Sequence, residues 1–309
     1  MSSLPPSSDT SASLLTSYYT TLRTALSRRQ PNQPPLPSPS ILSHAQNTLS
    51  SPSSPTYLQP HSTPTTLTHL LTDLLPALNS SALSSRYYAF VTGGAHPVAE
   101  FADNLVSAVD NSAQVHIAGH SISGDLEAAA LQMVVDILEL EGGFTEGDGA
   151  DLEGGNGFPG RTFTTGATAG NIMGLACGRE AVLRKRLVRK KIDKGVGELG
   201  LVRACVTAGV GEIQVLTSLG HSSLSKAASV VGLGRESVKD VGAEGEPWRL
   251  DLAKIERELT READGVVSIV VVGAGEVNTG RFATNLLDMP KLRSLADRYG
   301  AWIHVDGGR

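Results

Sequence analysis

Three short segments of the chain carry side chains that could bind or transform a small molecule. They are the triplet Gly166-Ala167-Thr168, the histidine His221 and the aspartate Asp306. We expect each of them where a β-strand ends, because each follows a short run of strand-forming residues. In sheets of parallel strands, ligands bind at the carboxyl ends of the strands. The three segments are therefore the first candidates for a common site.

Each segment suits a different part of a ligand. Gly166-Ala167-Thr168 precedes a long helical pattern, and free amides at a helix N-terminus, next to a glycine and a hydroxyl, can bind a phosphate. A turn of small residues before a helix is also common without a ligand. His221 could stack on a ring, donate a proton or cap the next helix. Asp306 suits a cationic ligand atom, although a carboxylate there could instead cap a helix.

The elements around these residues alternate between strand and helix patterns. This alternation predicts an α/β domain with a mainly parallel sheet. The predicted strands are 213–217, 266–272 and 302–305, a further strand leads into Gly166, and the predicted helices are 126–138, 223–231, 252–260 and 290–299.

The N-terminal part of the chain has a different composition. Most of the 16 prolines lie in the first 64 residues, and a Ser- and Pro-rich segment buries too little apolar surface to fold. Leucines at helical spacing predict amphipathic helices before and after this segment. The predicted organisation is an amphipathic arm (1–29, helical from about Ser11 to Arg28), a disordered segment (30–64), a helical segment (65–140), an acidic Gly-rich loop (141–157) and a partial large domain (158–309).

Composition argues against several classes of function. The net charge of −5 gives no basic face for nucleic acid, and no apolar run is long enough for a membrane span. Two cysteines are too few for a disulfide framework and fit a reducing compartment. The acidic loop is better explained as a solvated insertion than as a metal site. We therefore expect a cytoplasmic protein without a metal.

Four motifs in this order resemble the group II pyridoxal-phosphate (PLP)-dependent amino-acid decarboxylases. This family includes the aromatic amino-acid, glutamate and tyrosine decarboxylases. The motifs are Thr-Gly-Ala-Thr-Ala-Gly-Asn, His-Ser-Ser-Leu-Ser-Lys-Ala-Ala, Gly-Ala-Gly-Glu-Val-Asn-Thr-Gly and Trp-Ile-His-Val-Asp-Gly. The resemblance extends from about Tyr87 to Asp306 and implies the large domain of fold-type I PLP enzymes.

The resemblance also implies roles for the candidate residues. Gly166, Ala167 and Thr168 would bind the PLP phosphate, His221 would stack on the pyridine ring, and Asp306 would pair with the ring nitrogen. A carboxylate beside that nitrogen favours its protonated form, which makes the ring an electron sink. The implied activity is decarboxylation of an L-amino acid by a homodimer.

Two further residues are assigned by the same analogy. Tyr88 and Thr92 would line the substrate pocket. Which amino acid would be the substrate is not indicated by the sequence.

This sequence departs from the family pattern in two respects. The lysine that binds PLP covalently in the family lies after the strand-ending aspartate, and this sequence ends three residues after Asp306. No Schiff-base lysine is therefore expected in this chain, since Lys226 belongs to a helix position that does not bind PLP in the family. Glu276 stands where many members have threonine. We expect a C-terminally truncated form with weak PLP binding and little or no turnover.

Three other functions remain open. Another fold-type I PLP enzyme, such as an aldehyde-releasing lyase, a cysteine desulfurase or an aminotransferase, would share the strand-ending aspartate. A nicotinamide-dependent oxidoreductase is suggested by Gly273 and Gly275 after an apolar strand, but Asn278 stands in place of the third glycine. A non-catalytic relic that binds a partner through its proline-rich segment is the third possibility.

Overall fold

The computed structural model describes residues 9–27, 36–83, 94–111, 119–140, 160–276 and 279–307. The chain divides into two compact units, Met1–Ser112 and Ala113–Arg309. Tyr88, Thr92 and the acidic loop 141–157 lie outside the described residues. In the part that is described, no helix combines the length and apolarity needed to cross a membrane.

The first unit is helical. Its helices are α1 (Asp9–Ser27), α2 (Pro39–Thr48), α3 (Thr63–His69, continued by a π turn at Leu70–Leu74 and a 3-10 turn at Leu75–Ala77), a further 3-10 turn at Ser81–Leu83, and α4 (Pro97–Val109). As predicted, the leucine-rich helix ends next to Pro76, which lies in the final 3-10 turn.

The predicted amphipathic arm is a helix that contacts other helices of the first unit. The Tyr18 hydroxyl donates to the Pro64 carbonyl oxygen at 3.3 Å, and the Tyr19 hydroxyl donates to Asn104 Oδ1 at 2.9 Å. Arg23 binds both carboxylate oxygens of Glu100 at 2.8 and 3.0 Å. The arm is therefore not a separate segment but part of the unit Met1–Ser112.

Disorder across 30–64 was a wrong prediction for the described part of that segment. Helix α2 begins with Ser38 as N-cap and Pro39 in its first turn, and the Ser38 side chain accepts from the Ile41 amide. Ser62 caps α3 in the same way, with Pro64 in the first turn. Proline is tolerated in the first turn of a helix, so serine and proline residues that the composition argument attributed to a disordered segment are here helix starts. Ala45 is buried.

The second unit is an α/β domain. Its helices are α5 (Ser123–Ile137), α6 (Ala167–Arg189), α7 (Val196–Leu199), α8 (Leu201–Ala208), α9 (Ser222–Val230), α10 (Leu252–Thr260) and α11 (Met289–Tyr299); its strands are β1 (Glu212–Thr217), β2 (Val238–Asp240), β3 (Gly242–Ala243), β4 (Glu246–Leu250), β5 (Val266–Gly273) and β6 (Trp302–Asp306). Four strands form a parallel sheet in the order β2-β1-β5-β6. The predicted fold class is confirmed.

Both faces of this sheet are buried. Along β5, Val267, Ile269 and Val271 face a core formed with residues of α6, α8 and α9. The alternate residues Val270 and Val272 face a second core with residues of α10 and α11. This alternation follows from the two-residue period of a strand, and burial on both sides explains why β5 is apolar apart from Ser268.

Helix α6 lies very close to the sheet because two of its residues are glycines. A β-carbon added at Gly174 would clash with the His304 ring, and one added at Gly178 would lie 2.8 Å from Trp302 Cδ1 and 3.1 Å from Ile269 Cδ1. Such a close approach requires residues without side chains. The start of α6 is thereby held near the carboxyl end of β6.

Two predictions about the large domain need correction. No strand leads into Gly166, since residues 160–164 have no regular secondary structure. The run Arg161–Thr165 has strand-forming residues but no neighbouring strand within the described part of the chain to pair with. The unit also begins at Ala113 rather than at 158, because α5 belongs to it.

Candidate functional site

The start of α6 leaves backbone donors free. Gly166, the N-cap, has φ 155° and ψ 171°, a conformation that essentially only glycine adopts, and it offers no side-chain cap. Gly170 donates to the Gly166 carbonyl oxygen at 3.1 Å, whereas the amides of Ala167, Thr168 and Ala169 have no acceptor among the described residues. Thr168 is exposed. A 23-residue helix with such an N-terminus can bind an anion.

His221 is the N-cap of α9, so the capping role considered from the sequence is confirmed. Its Nδ1 accepts from the Ser223 amide at 3.2 Å and lies 2.7 Å from Ser223 Oγ. Because Nδ1 accepts a hydrogen bond from a backbone amide, the neutral ring must carry its proton on Nε2. The imidazole is exposed and lines a pocket at the carboxyl ends of the strands.

Asp306 is the last residue of β6 and lines the same pocket. It is 9% exposed. Asn171 Nδ2 donates to its Oδ2 at 3.1 Å. Among the described residues, no cationic side chain forms an ion pair with this carboxylate and no donor reaches its Oδ1. A buried anion with one neutral donor is incompletely stabilised, so the site favours a cationic ligand atom.

Asn171 connects the elements of the site. Its Nδ2 also donates to Ser223 Oγ at 3.1 Å, and its Oδ1 lies 2.7 Å from Nε2 of His304. It is three residues after Thr168 in α6, and residues three apart lie on neighbouring parts of one helix face. The start of α6, the cap of α9 and the end of β6 are thus brought together, although Thr168 itself is not among the residues that line the pocket.

His304 contributes an uncharged ring to this network. Burial lowers the pKa of the His304 imidazole, and the opposing attraction of the nearby Asp306 carboxylate is the smaller effect. A neutral histidine has one N–H, and the carbonyl oxygen of Asn171 can only accept. His304 therefore donates from Nε2.

Glu276 adds a second buried carboxylate to the pocket. It is 4% exposed, and its Oε2 accepts from the Thr279 amide at 2.8 Å. Trp248 lines the same pocket, and the guanidinium of Arg281 lies 4.2 Å from its ring centroid. Cation–π contact of this kind orders a surface arginine. The pocket therefore has acidic groups inside and an aromatic wall.

The sequence did not single out three residues of the network: Asn171, Ser223 and His304. The sequence could have indicated Asn171, because this residue stands one helical turn after Thr168 in the first motif. Ser223 and His304 also lie within quoted motifs, but only their contacts distinguish them from their neighbours.

The suggested dinucleotide site lacks a necessary element. A dinucleotide fingerprint requires a helix that opens directly after the glycine turn. Gly273 ends β5 and Gly275 has φ 92°, but the next described helix, α11, begins only at Met289. Between these positions, residues 279–288 form no helix with free amides at the strand end. The described chain therefore does not support the nicotinamide hypothesis.

Comparison with known proteins gives a consistent set of relatives. No protein-family model matches the chain. L-2,4-diaminobutyrate decarboxylase of Acinetobacter baumannii is 28% identical over 146 residues, 47% of this chain and 27% of that protein. Aspartate 1-decarboxylase of Aliivibrio fischeri is 30% identical over 148 residues, 47% of this chain and 25% of that protein.

The structural likeness extends over more of the chain. The crystal structure of Oryza sativa TDC with PLP and tryptamine superposes with a TM-score of 0.68 at 22% identity, and the match covers 98% of this chain and 58% of that one. The matched parts thus span about a quarter of the curated relatives and little more than half of the solved structure. The resemblance predicted from the four motifs is confirmed: about half of the chain is similar in sequence to two amino-acid decarboxylases, and the chain has the fold of Oryza sativa TDC, a structure that contains PLP.

Proposed function

We propose that this chain carries the cofactor-binding part of a PLP-dependent amino-acid decarboxylase. The observation that carries the proposal is the buried carboxylate of Asp306, which has no cationic partner among the described residues, shares a pocket with His221 and is bonded to Asn171 close to the start of α6. An anion site, an imidazole and a carboxylate match the three parts of PLP: phosphate, ring face and ring nitrogen. The Oryza sativa TDC structure named above, which contains PLP, supports the same cofactor.

Each residue of the site has a physical role in this proposal. The amides of Ala167 and Thr168 and the Thr168 hydroxyl hold the phosphate, while Gly166 allows it to approach the backbone. Asp306 keeps the ring nitrogen protonated, and His221 lies against the ring. When bound, PLP supplies an electron-withdrawing ring that stabilises the charge left as a carboxylate departs as carbon dioxide.

Covalent attachment of PLP is not part of the proposal for this chain. No lysine of the described residues lines the pocket. Lys226, the nearest lysine in sequence to His221, is exposed on α9. We propose that the 309-residue chain binds PLP without a covalent bond and has little or no turnover. Borohydride reduction followed by peptide mass spectrometry would contradict this if it located the cofactor on any lysine.

Titration of the purified chain with PLP tests the proposal directly. Trp248 lines the pocket, so bound PLP should quench its fluorescence, and Trp248→Phe should remove that signal. Asp306→Ala and His221→Ala are expected to weaken binding by about tenfold or more, since each loses a polar contact or a ring contact in a desolvated site.

Matched controls separate the site from general effects. Asp264→Ala and His61→Ala remove exposed residues of the same types and should leave the affinity unchanged. NAD should not protect the chain against thermal unfolding. If PLP neither quenches fluorescence nor raises the melting temperature, or if Asp306→Ala binds as tightly as the wild type, the proposal is wrong.

The finer parts of the proposal concern substrate, assembly and location. An L-amino acid is the proposed substrate class, with Tyr88 and Thr92 in its pocket, and the assembly is proposed to be a homodimer in the cytoplasm. Light scattering of the purified chain tests the dimer.

Within PLP chemistry, another fold-type I enzyme is the second candidate, since the strand-ending Asp306 would serve it equally. The two differ in any residual turnover, which would be carbon dioxide release from amino acids for the first and amino-group transfer to a keto acid for the second. A relic is distinguished by its PLP affinity, which would not respond to Asp306→Ala.

A further inference from the structure

The Asn171 side chain is almost completely buried, with 2% exposure, and all of its polar hydrogens are used. Nδ2 donates to Asp306 Oδ2 and to Ser223 Oγ, both at 3.1 Å, and Oδ1 faces His304 Nε2 at 2.7 Å. An amide with two donors and an acceptor satisfied at once is fixed in a single orientation.

The hydrogen bonds around this amide have only one consistent direction. The Ser223 amide donates to His221 Nδ1, so that nitrogen carries no proton. The Ser223 hydroxyl, 2.7 Å from the same Nδ1, then donates to it as well. Its oxygen is left to accept from Asn171.

The hydrogen-bond directions are also fixed at Asp306, the last residue of β6. The Asp306 carboxylate can only accept, so it requires the second Nδ2 hydrogen. Oδ1 of Asn171 therefore needs a donor, and the Nε2 proton of His304 supplies it. The path runs from His304 through Asn171 to Asp306 and, by Ser223, to His221.

We propose that Asn171 is a positioning residue that orients the Asp306 carboxylate and the Ser223 hydroxyl beside His221, and that His304 holds the Asn171 amide in the required orientation. The effect on cofactor binding rests on the proposed function. The hydrogen positions in the free protein do not.

Two consequences for the site follow from this arrangement. Oδ2 of Asp306 is occupied, which leaves Oδ1 for a cationic ring nitrogen. His221 Nδ1 is also occupied, so the ring offers only an N–H donor, at Nε2, to a ligand. A purely structural asparagine would fill the space but would not determine which oxygen of Asp306 is left for a ligand.

Nitrogen NMR of the free full-length chain, labelled with ¹⁵N-histidine, tests the hydrogen positions. His221→Gln and His304→Gln assign the signals. We expect both rings to be protonated at Nε2. In Asn171→Asp an oxygen remains for His304 but both donors are lost, so Nε2 of His304 should keep its proton. In Asn171→Leu no acceptor remains, and the His304 signal should change. Protonation of either ring at Nδ1 in the wild type would overturn the inference.

Cofactor affinity tests the positioning role. Asn171→Asp loses a charge-assisted hydrogen bond to Asp306, so PLP should bind about tenfold more weakly or worse. His304→Phe keeps a ring beside Gly174 but has no donor and should also bind more weakly. His304→Gln can donate from a similar position and should bind nearly as the wild type. Cys177→Ser, an exposed change in α6, is the control.

The outcomes separate this inference from the proposed function. If the wild type shows no PLP binding, the proposed function fails, and the NMR result still decides the hydrogen positions. If Asn171→Asp and His304→Phe fold and bind PLP as the wild type does, the positioning role is wrong. If the Asn171 variants do not fold, the comparison of His304→Phe with His304→Gln decides: equal affinity overturns the role.

Discussion

Asp306→Asn removes a negative charge from the pocket but leaves an oxygen that can accept the hydrogen bond from Asn171. In the wild type this carboxylate is 9% exposed, with Asn171 as its hydrogen-bond donor among the described residues. Keeping a carboxylate ionised in such a place costs free energy that a neutral amide avoids. We expect the free protein to become more stable by about 1 kcal/mol, which raises the melting temperature by about 2–4 °C for a unit of this size.

The same change should weaken PLP binding. A hydrogen bond between charged groups contributes about 1.5–3 kcal/mol, and tenfold in affinity corresponds to about 1.4 kcal/mol. Asp306→Asn is therefore expected to bind PLP about 10- to 100-fold more weakly. Differential scanning fluorimetry without ligand and tryptophan quenching with PLP measure the two effects on one sample.

The essential result is that the stability of the free protein rises while its PLP affinity falls. If Asp306 were retained for stability, its substitution would lower both. Asp264→Asn, an exposed change before β5, should alter neither stability nor affinity by a measurable amount. A fall in the melting temperature of Asp306→Asn by more than about 2 °C, or an unchanged PLP affinity, would refute the reasoning about a buried charge retained for a ligand.

Three further changes test the packing and the pH response. Gly174→Ala should destabilise the protein by about 1–3 kcal/mol in urea unfolding, because the added methyl group meets the His304 ring, whereas Gly197→Ala, with open space around it, should not. Leu183→Ala empties a fully buried position and should cost about 2–5 kcal/mol, also by urea unfolding. The lowered pKa of His304 means that the unfolded chain binds its proton more readily, so stability should fall as the pH drops below the ordinary value of 6.5, and His304→Gln should flatten that slope between pH 7 and 5.

The sheet and its helices were predictable because each strand and helix has a strong local pattern. The predicted bounds of β5, α10 and α11 lie within a few residues of those observed. The prediction of a strand before Gly166 was wrong because strand formation depends on a pairing partner, which a single segment does not contain. The starts of α2 and α3 were not predicted because the composition argument ignored the position of each proline.

The site was predictable in part for a related reason. His221 and Asp306 stand at strand ends, and topology brings strand ends together. Asn171 and His304 meet only because Gly174 lets α6 approach β6. That contact joins residues 133 positions apart, and no local pattern in the sequence encodes it.

Helix α6 couples ligand binding to stability, because its first turn lies at the candidate site and its later turns lie in the core. Its first turn offers free amides, while Leu175, Leu183 and Leu187 are fully buried further along. An anion that binds the first turn must therefore shift the unfolding equilibrium of the whole second unit by mass action. A panel of phosphorylated compounds could be ranked by melting temperature alone, which would compare their affinities for the chain without an assay of turnover.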